Sequence, residues 1–161
     1  MDATLMEMVG TVAIPATTEP FVASEHCVLG GDPKKITWLS DLFREWFWGK
    51  IEPPMAKTEL RYAKLTKNSV DGPIMDELGG VKETTLAEIY ALMKRQPNGE
   101  QGVLLTNGWA NIFYVPDANG TLRAVLVYCN SVGWGLLAHS VGSLFRWHGE
   151  YRVFSRNSSA S

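Results

Sequence analysis

From residue 109 onward, apolar and polar positions alternate with a period of two, interrupted at turn sequences that each contain glycine. The pattern predicts four short strands, over residues 109–115, 122–129, 134–140 and 150–154. Pro116 to Gly120 separates the first two and Asn130 to Gly133 the next two, so strands consecutive in sequence are expected as antiparallel neighbours in a C-terminal β-meander. In the strand over 122–129 the series Leu122, Ala124, Leu126, Tyr128 and the series Arg123, Val125, Val127, Cys129 are both largely apolar. Such a strand is expected in the interior of a sheet, covered on both sides.

Upstream the period changes. Leu39, Leu42, Phe43, Trp46 and Phe47 recur at helical spacing behind Ser40, a suitable N-cap, and Gly49 with Pro53-Pro54 should end that helix. Thr85 and Glu88 have the spacing of a capping box, and Leu86, Ile89, Tyr90 and Met93 form the apolar stripe of a second helix. A third, short helix is predicted from Asp71 or Gly72 to Leu78, with Gly79-Gly80 stopping it. Residues 21–29, 35–39 and 59–67 are read as strands, and Gly30 to Pro33 as a turn. Residues 1–20 show no sustained period and are read as a loosely ordered arm. Residues 157–161 are expected to fray, which leaves 21–156 as a single domain. The expected fold class is α+β: a mainly antiparallel, twisted sheet covered by two or three short helices.

Composition narrows the function classes. Hydrophobic residues make up 45% and charged residues 20% of 161, which is the composition of a folded domain rather than a disordered chain. A formal net charge of -2 provides no global positive field for phosphate backbones or anionic lipid, so nucleic acid is disfavoured. The N-terminal apolar stretch is short and interrupted, which fits neither a secretory signal nor a membrane span. Cys27 and Cys129 lack paired spacing and are read as free thiols of a cytoplasmic protein.

The chemistry-bearing residues form no familiar motif. Nucleophilic catalysis would have to use Cys129 with His139 on a neighbouring strand, as in a small hydrolase or transferase. The competing reading, a half-buried cysteine acting as a small hydrophobe, weighs more. His26, Cys27, Cys129, His139 and His148 share no metal-ligand spacing, so neither metal nor cofactor is expected. Asp71 is explained as a cap, and Asp76 and Glu77 as solvated helix residues. The tryptophans stand out. Trp48 falls on the polar face of its helix, Trp134 opens a strand beside a turn, and Trp147 follows Arg146 in a loop; tryptophan with arginine is a common composition of binding hot spots. Trp48, Trp134, Arg146 and Trp147 are therefore the candidate partner-binding residues, although for any one tryptophan the competing reading, that it folds back to cover a sheet edge, weighs more.

The strings from Lys35 to Leu39, from Ser69 to Ile74, from Glu77 to Gly80, from Glu83 to Glu88, from Leu105 to Gly108, from Asn111 to Val115 and from Arg152 to Asn157 carry a resemblance. They are similar to a group of small uncharacterised proteins encoded by ultra-small candidate-phylum bacteria. The resemblance covers most of the chain from Phe21 onward and implies a bacterial cytoplasmic protein. It brings no activity or ligand with it, so no functional residue is carried over. The expected function is that of a small intracellular binding or interaction module without catalytic activity. Its expected partner is another protein or a second copy, docked on the strand face that the helices cannot cover.

Overall fold

The computed structural model describes residues 5–27, 36–131, 133–142 and 146–157. In chain order the elements are β1 (Met6–Ile14), β2 (Phe21–Val22), α1 (Ala23–His26), β3 (Ile36–Leu39), α2 (Asp41–Phe47), β4 (Ile51–Glu52), β5 (Thr58–Leu65), α3 (Asp71–Leu78), α4 (Leu86–Lys94), β6 (Asn111–Pro116), β7 (Leu122–Cys129), β8 (Trp134–Ser140) and β9 (Arg152–Arg156). A single 3-10 turn, Gly79–Val81, follows α3. Seven strands form one mixed sheet in the order β1-β5-β9-β6-β7-β8-β3, while β2 and β4 pair separately. The architecture is α+β and most pairings are antiparallel. Two are parallel, β6 with β9 and β3 with β8. No helix among the described residues is long and apolar enough to cross a membrane.

β6, β7 and β8 are antiparallel to one another in sequence order, with Val125 opposite both Phe113 and Ala138. The fourth predicted strand departs from the expected order. β3 already occupies the outer edge of β8, and residues 146–151 run back over the sheet, where Ser69 and Trp147 exchange backbone hydrogen bonds of 3.0 and 2.7 Å. β9 therefore enters between β6 and β5, parallel to the first and antiparallel to the second.

Local chemistry explains the helices. The Ser40 hydroxyl accepts from the Phe43 amide at 3.1 Å, and Thr85 and Glu88 form a reciprocal capping box. Glu52 adds a second device at the start of α4. Its carboxylate accepts from the Leu86 and Ala87 amides at 2.8 and 2.9 Å and pairs with Lys50 at 3.0 Å. Anionic charge at a helix N-terminus is favourable, and here it ties β4 to α4. Gly49, expected to end α2, does not adopt a positive φ; Gly79 does after α3, at 65°. The expected cap at Asp71 or Gly72 is likewise replaced, because Val70 is the N-cap and Asp71 is the first helical residue.

The sheet is covered on both faces. On the first, Phe43 and Phe47 of α2 and Leu86, Ile89 and Met93 of α4 pack with Phe113, Val125, Val127 and Leu136. On the second, Ile74 and Leu78 of α3 and Trp147 pack with Ile112, Tyr114, Ala124 and Val153. Both apolar series of β7 are accounted for in this way: odd positions face α2 and α4, even positions face the other way.

The segment expected as a loose arm is instead an edge strand. β1 pairs with β5 along its length, with a register shift between Met8 and Gly10 that breaks the two-residue period. The Glu77 carboxylate, expected to be solvated, accepts from the Leu5 and Met6 amides at 2.7 and 3.2 Å, and Arg95 donates to the Ala13 carbonyl at 2.7 Å. Of the strand expected over 21–29, Phe21 and Val22 are extended and the chain then turns into α1, while residues 28 and 29 lie outside the described residues. The glycine turn at 30–33 and the tail at 158–161 lie outside the described residues. Asn157 is held by two hydrogen bonds to Glu59, from its amide nitrogen at 2.9 Å and from its side chain at 2.7 Å.

Candidate functional site

Sheet register decides which of the predicted residues meet. Cys129 lies opposite Trp134 and His139 lies opposite Ala124. The two are five steps apart along the ladder, about 17 Å at about 3.4 Å per residue, and they point to opposite faces. No nucleophile and base pair exists there. Cys129 is buried in the first core, and burial, with a smaller contribution from Glu100, pushes its thiol pKa up, away from the reactive thiolate. Among the described residues no three His, Cys, Asp or Glu side chains converge as metal ligands would.

The tryptophans also separate. Trp134 is fully buried and its indole donates to the Gln96 carbonyl at 3.0 Å. Trp147 is fully buried as well, donating to Asp71 Oδ1 at 2.7 Å. Neither is a surface anchor. A large aromatic beside a turn folds inward whenever its N–H finds an acceptor, and both do. Trp48, 40% exposed at the end of α2, and Arg146, exposed beside Trp147, remain on the surface but belong to opposite faces.

Asp71 is the least conventional residue of the interior. Its carboxylate, fully buried, accepts from the Tyr114 hydroxyl at 2.6 Å and from the Trp147 indole at 2.7 Å, both on Oδ1. Oδ2 lies 3.8 Å from His139 Nε2. Desolvation raises the Asp71 pKa against the opposing effect of the two donors and of His139. Desolvation also lowers that of His139, with Asp71 opposing. The same burial, together with the neighbouring Asp71 charge, drives the Tyr114 phenol far above its ordinary range. Chemically this is an anchor. It ties α3, β6 and the 146–151 segment together through one acceptor.

The surface feature that sequence reasoning missed lies on the same second face, toward one end of the sheet. Tyr128 of β7 is opposite Gly135 of β8, which in turn is opposite Trp38 of β3. A Cβ on Gly135 would lie 2.6 Å from Tyr128 Cε1, so the absent side chain is what lets the tyrosine lie across β8 and approach Trp38, at 6.2 Å between ring centroids. Trp38 itself is turned outward by the register shift between Ile36 and Trp38, which keeps Ile36 and Leu39 in the first core. Leu126 and Leu137, directly opposite each other, are half-buried on the same face. On the other side of Ala110, the Tyr151 ring has Trp109 at 6.1 Å, His148 at 5.7 Å and, behind it, Trp147 at 6.2 Å. Trp38 and Trp109 are 44% and 41% exposed.

The result is a row of aromatic rings across the end of the sheet, carried by Trp109 and Tyr151 just ahead of β6 and β9 and by β7 and β3, and interleaved with Ala110 and Gly135. The available signal in the sequence was the even series of β7 together with the glycine that opens Gly135-Leu136-Leu137. Compared with known proteins, the chain matches no family model, no curated protein and no solved structure.

Proposed function

We propose that this protein is a small, non-catalytic interaction module of the bacterial cytoplasm that self-associates through the second face of its sheet. One observation carries the reading: Trp38 is 44% exposed with Tyr128 beside it, and Leu126 and Leu137 continue the same face half-buried, with no charged side chain among the four. A patch without charge is compatible with its own copy, because a two-fold contact places each residue against the same set with no like charges to oppose. Strongly apolar patches with aromatic anchors are also the composition of homodimer interfaces. The separation of Cys129 from His139 removes the support for a thiol-dependent hydrolase or transferase.

Size-exclusion chromatography with light scattering tests the proposal. The expected result is a dimer that becomes monomeric in Trp38→Ala and in Leu137→Lys, with unchanged circular dichroism. A monomer for the unmodified chain across the micromolar range would overturn it, as would a dimer indifferent to both substitutions.

A further inference from the structure

The two ends of the aromatic row differ in their polar surroundings. At the β3 end the described neighbours of Trp38 and Tyr128 on this face are Gly135, Leu126 and Leu137, whereas Trp109 and Tyr151 border a cavity of about 440 Å³ whose rim is polar. Asn68, Lys67, His148 and Glu150 contribute that rim. Its size lies within the range of pockets for small organic ligands.

The rim is built rather than incidental. Asn68 Oδ1 accepts from the Gly149 amide at 2.9 Å, which fixes the side chain and leaves the two amide hydrogens on Nδ2 directed elsewhere. Glu150 has φ 82°, in the left-handed region that disfavours a side chain, and its amide donates to the Leu65 carbonyl at 2.6 Å. Backbone held in that conformation by its surroundings costs of order 1–3 kcal/mol and concentrates at binding sites. Behind Tyr151, Trp147 is held by the buried Asp71 carboxylate, so the floor of the cavity rests on the interior anchor.

The chemistry of the rim selects a ligand class. Lys67 and Glu150 carry opposite charges on the rim, with Lys64 Nζ 4.0 Å from the Glu150 carboxylate, so a phosphate approaching the lysines meets that carboxylate as well. Asn68 supplies donors, Glu150 acceptors, and the exposed indole of Trp109 supplies a flat apolar face. A sugar ring has the complementary surface: hydroxyl groups that each donate and accept, around a disc whose C–H face packs on an aromatic ring. We infer that the cleft between Trp109, Asn68 and Glu150 is a binding site for a neutral saccharide, with one pyranose ring stacked on Trp109.

The experiment screens the intact chain on an array of neutral glycans and titrates the best binders, with cellotriose, maltotriose and triacetylchitotriose as fixed members of the panel, by heteronuclear NMR and tryptophan fluorescence. Saturable shifts at Trp109, Asn68 and Glu150 are expected, with affinity falling at least about tenfold in Trp109→Ala and in Asn68→Ala, as loss of a stacked ring or of hydrogen bonds implies. Trp38→Ala should bind sugar like the unmodified chain even where it no longer self-associates, so this inference and the dimer reading fail separately. Retention of no neutral glycan, binding restricted to sulfated or phosphorylated ligands, or affinity unchanged in both cleft variants would overturn the assignment.

Discussion

Tyr114→Phe isolates the interior anchor with the smallest possible change. It removes one oxygen, the donor 2.6 Å from Asp71 Oδ1, and leaves the Trp147 indole as the only hydrogen-bond donor to that carboxylate among the described residues. A hydrogen bond to a charged group contributes about 1.5–3 kcal/mol and one to a neutral group about 1 kcal/mol. The cost should therefore be about 2 kcal/mol where Asp71 is ionised, equivalent to about 4–8 °C in Tm for a domain of this size. The pH dependence has a definite sign. Asp71 has a raised folded pKa, so its favourable contribution is present below its unfolded value of 3.8 and is lost as pH rises through the folded one. The Tyr114 hydroxyl holds that folded pKa down, so removing it moves the pKa further up. The gap between the two proteins must therefore be widest at alkaline pH and narrow, toward about 1 kcal/mol, as acid protonates Asp71. Urea denaturation at pH 8 and pH 5, repeated in an Asp71→Asn background, measures it. There the carboxamide oxygen still accepts from Tyr114, and Tyr114→Phe should cost only the neutral value at both pH values. A penalty below about 0.5 kcal/mol at pH 8, or one that grows on acidification, would refute the reasoning.

The remaining predictions test other joints. Burial of His139 depresses its pKa, so its contribution to stability is present above 6.5 and lost as pH falls through the folded value; His139→Gln should flatten the decline of stability below pH 6.5, measured by thermal melts from pH 8 to 5. Glu52→Ala removes the acceptor of two α4 amides and leaves Lys50 without its carboxylate; a loss of about 3 kcal/mol in urea denaturation is expected. Gly135→Ala should displace Tyr128 from its place across β8 and cost about 1–3 kcal/mol by overpacking, with the change visible in near-ultraviolet circular dichroism. Cys27 and Cys129 are both buried, so a thiol reagent should label the native protein only at the rate of opening, and labelling should become rapid in denaturant.

Much of the fold was legible, and the parts that were not share a cause. Strands β6, β7 and β8 and helices α2 and α4 announce themselves because period and caps agree locally, as at Ser40, Thr85 and Glu88. β1 was invisible because its alternation is broken at the Met8 to Gly10 shift, and its order comes from Glu77 and Arg95, distant in sequence. The placement of β9 was illegible for a related reason. Nothing within residues 134–154 reveals that β3 occupies the edge of β8. Among the site residues, the choice between surface anchor and inward fold at Trp134 and Trp147 was open because exposure beside a turn depends on whether a buried acceptor waits for the indole. Those acceptors, Gln96 and Asp71, lie 38 and 76 residues away.

Two-sided burial of the sheet also explains why its surface features collect at one end of one face. α2 and α4 bring enough apolar side chains to cover the first face across β6, β7 and β8, and the first core reaches β3 through Ile36 and Leu39. Among the described residues α3 and the Trp147 segment cover the second face, and both are drawn to the middle of the sheet by the shared Asp71 carboxylate. An anchor that concentrates cover over Tyr114 and Ala124 leaves the positions beyond it, Tyr128 and Trp38 on one side and Trp109 and Tyr151 on the other, with rings to place and little above them. The exposure of these aromatics thus follows from where a single buried acid gathers its donors. Weakening that anchor, by loosening the Trp147 segment behind Tyr151, should alter the saccharide cleft before it alters the apolar patch at β3.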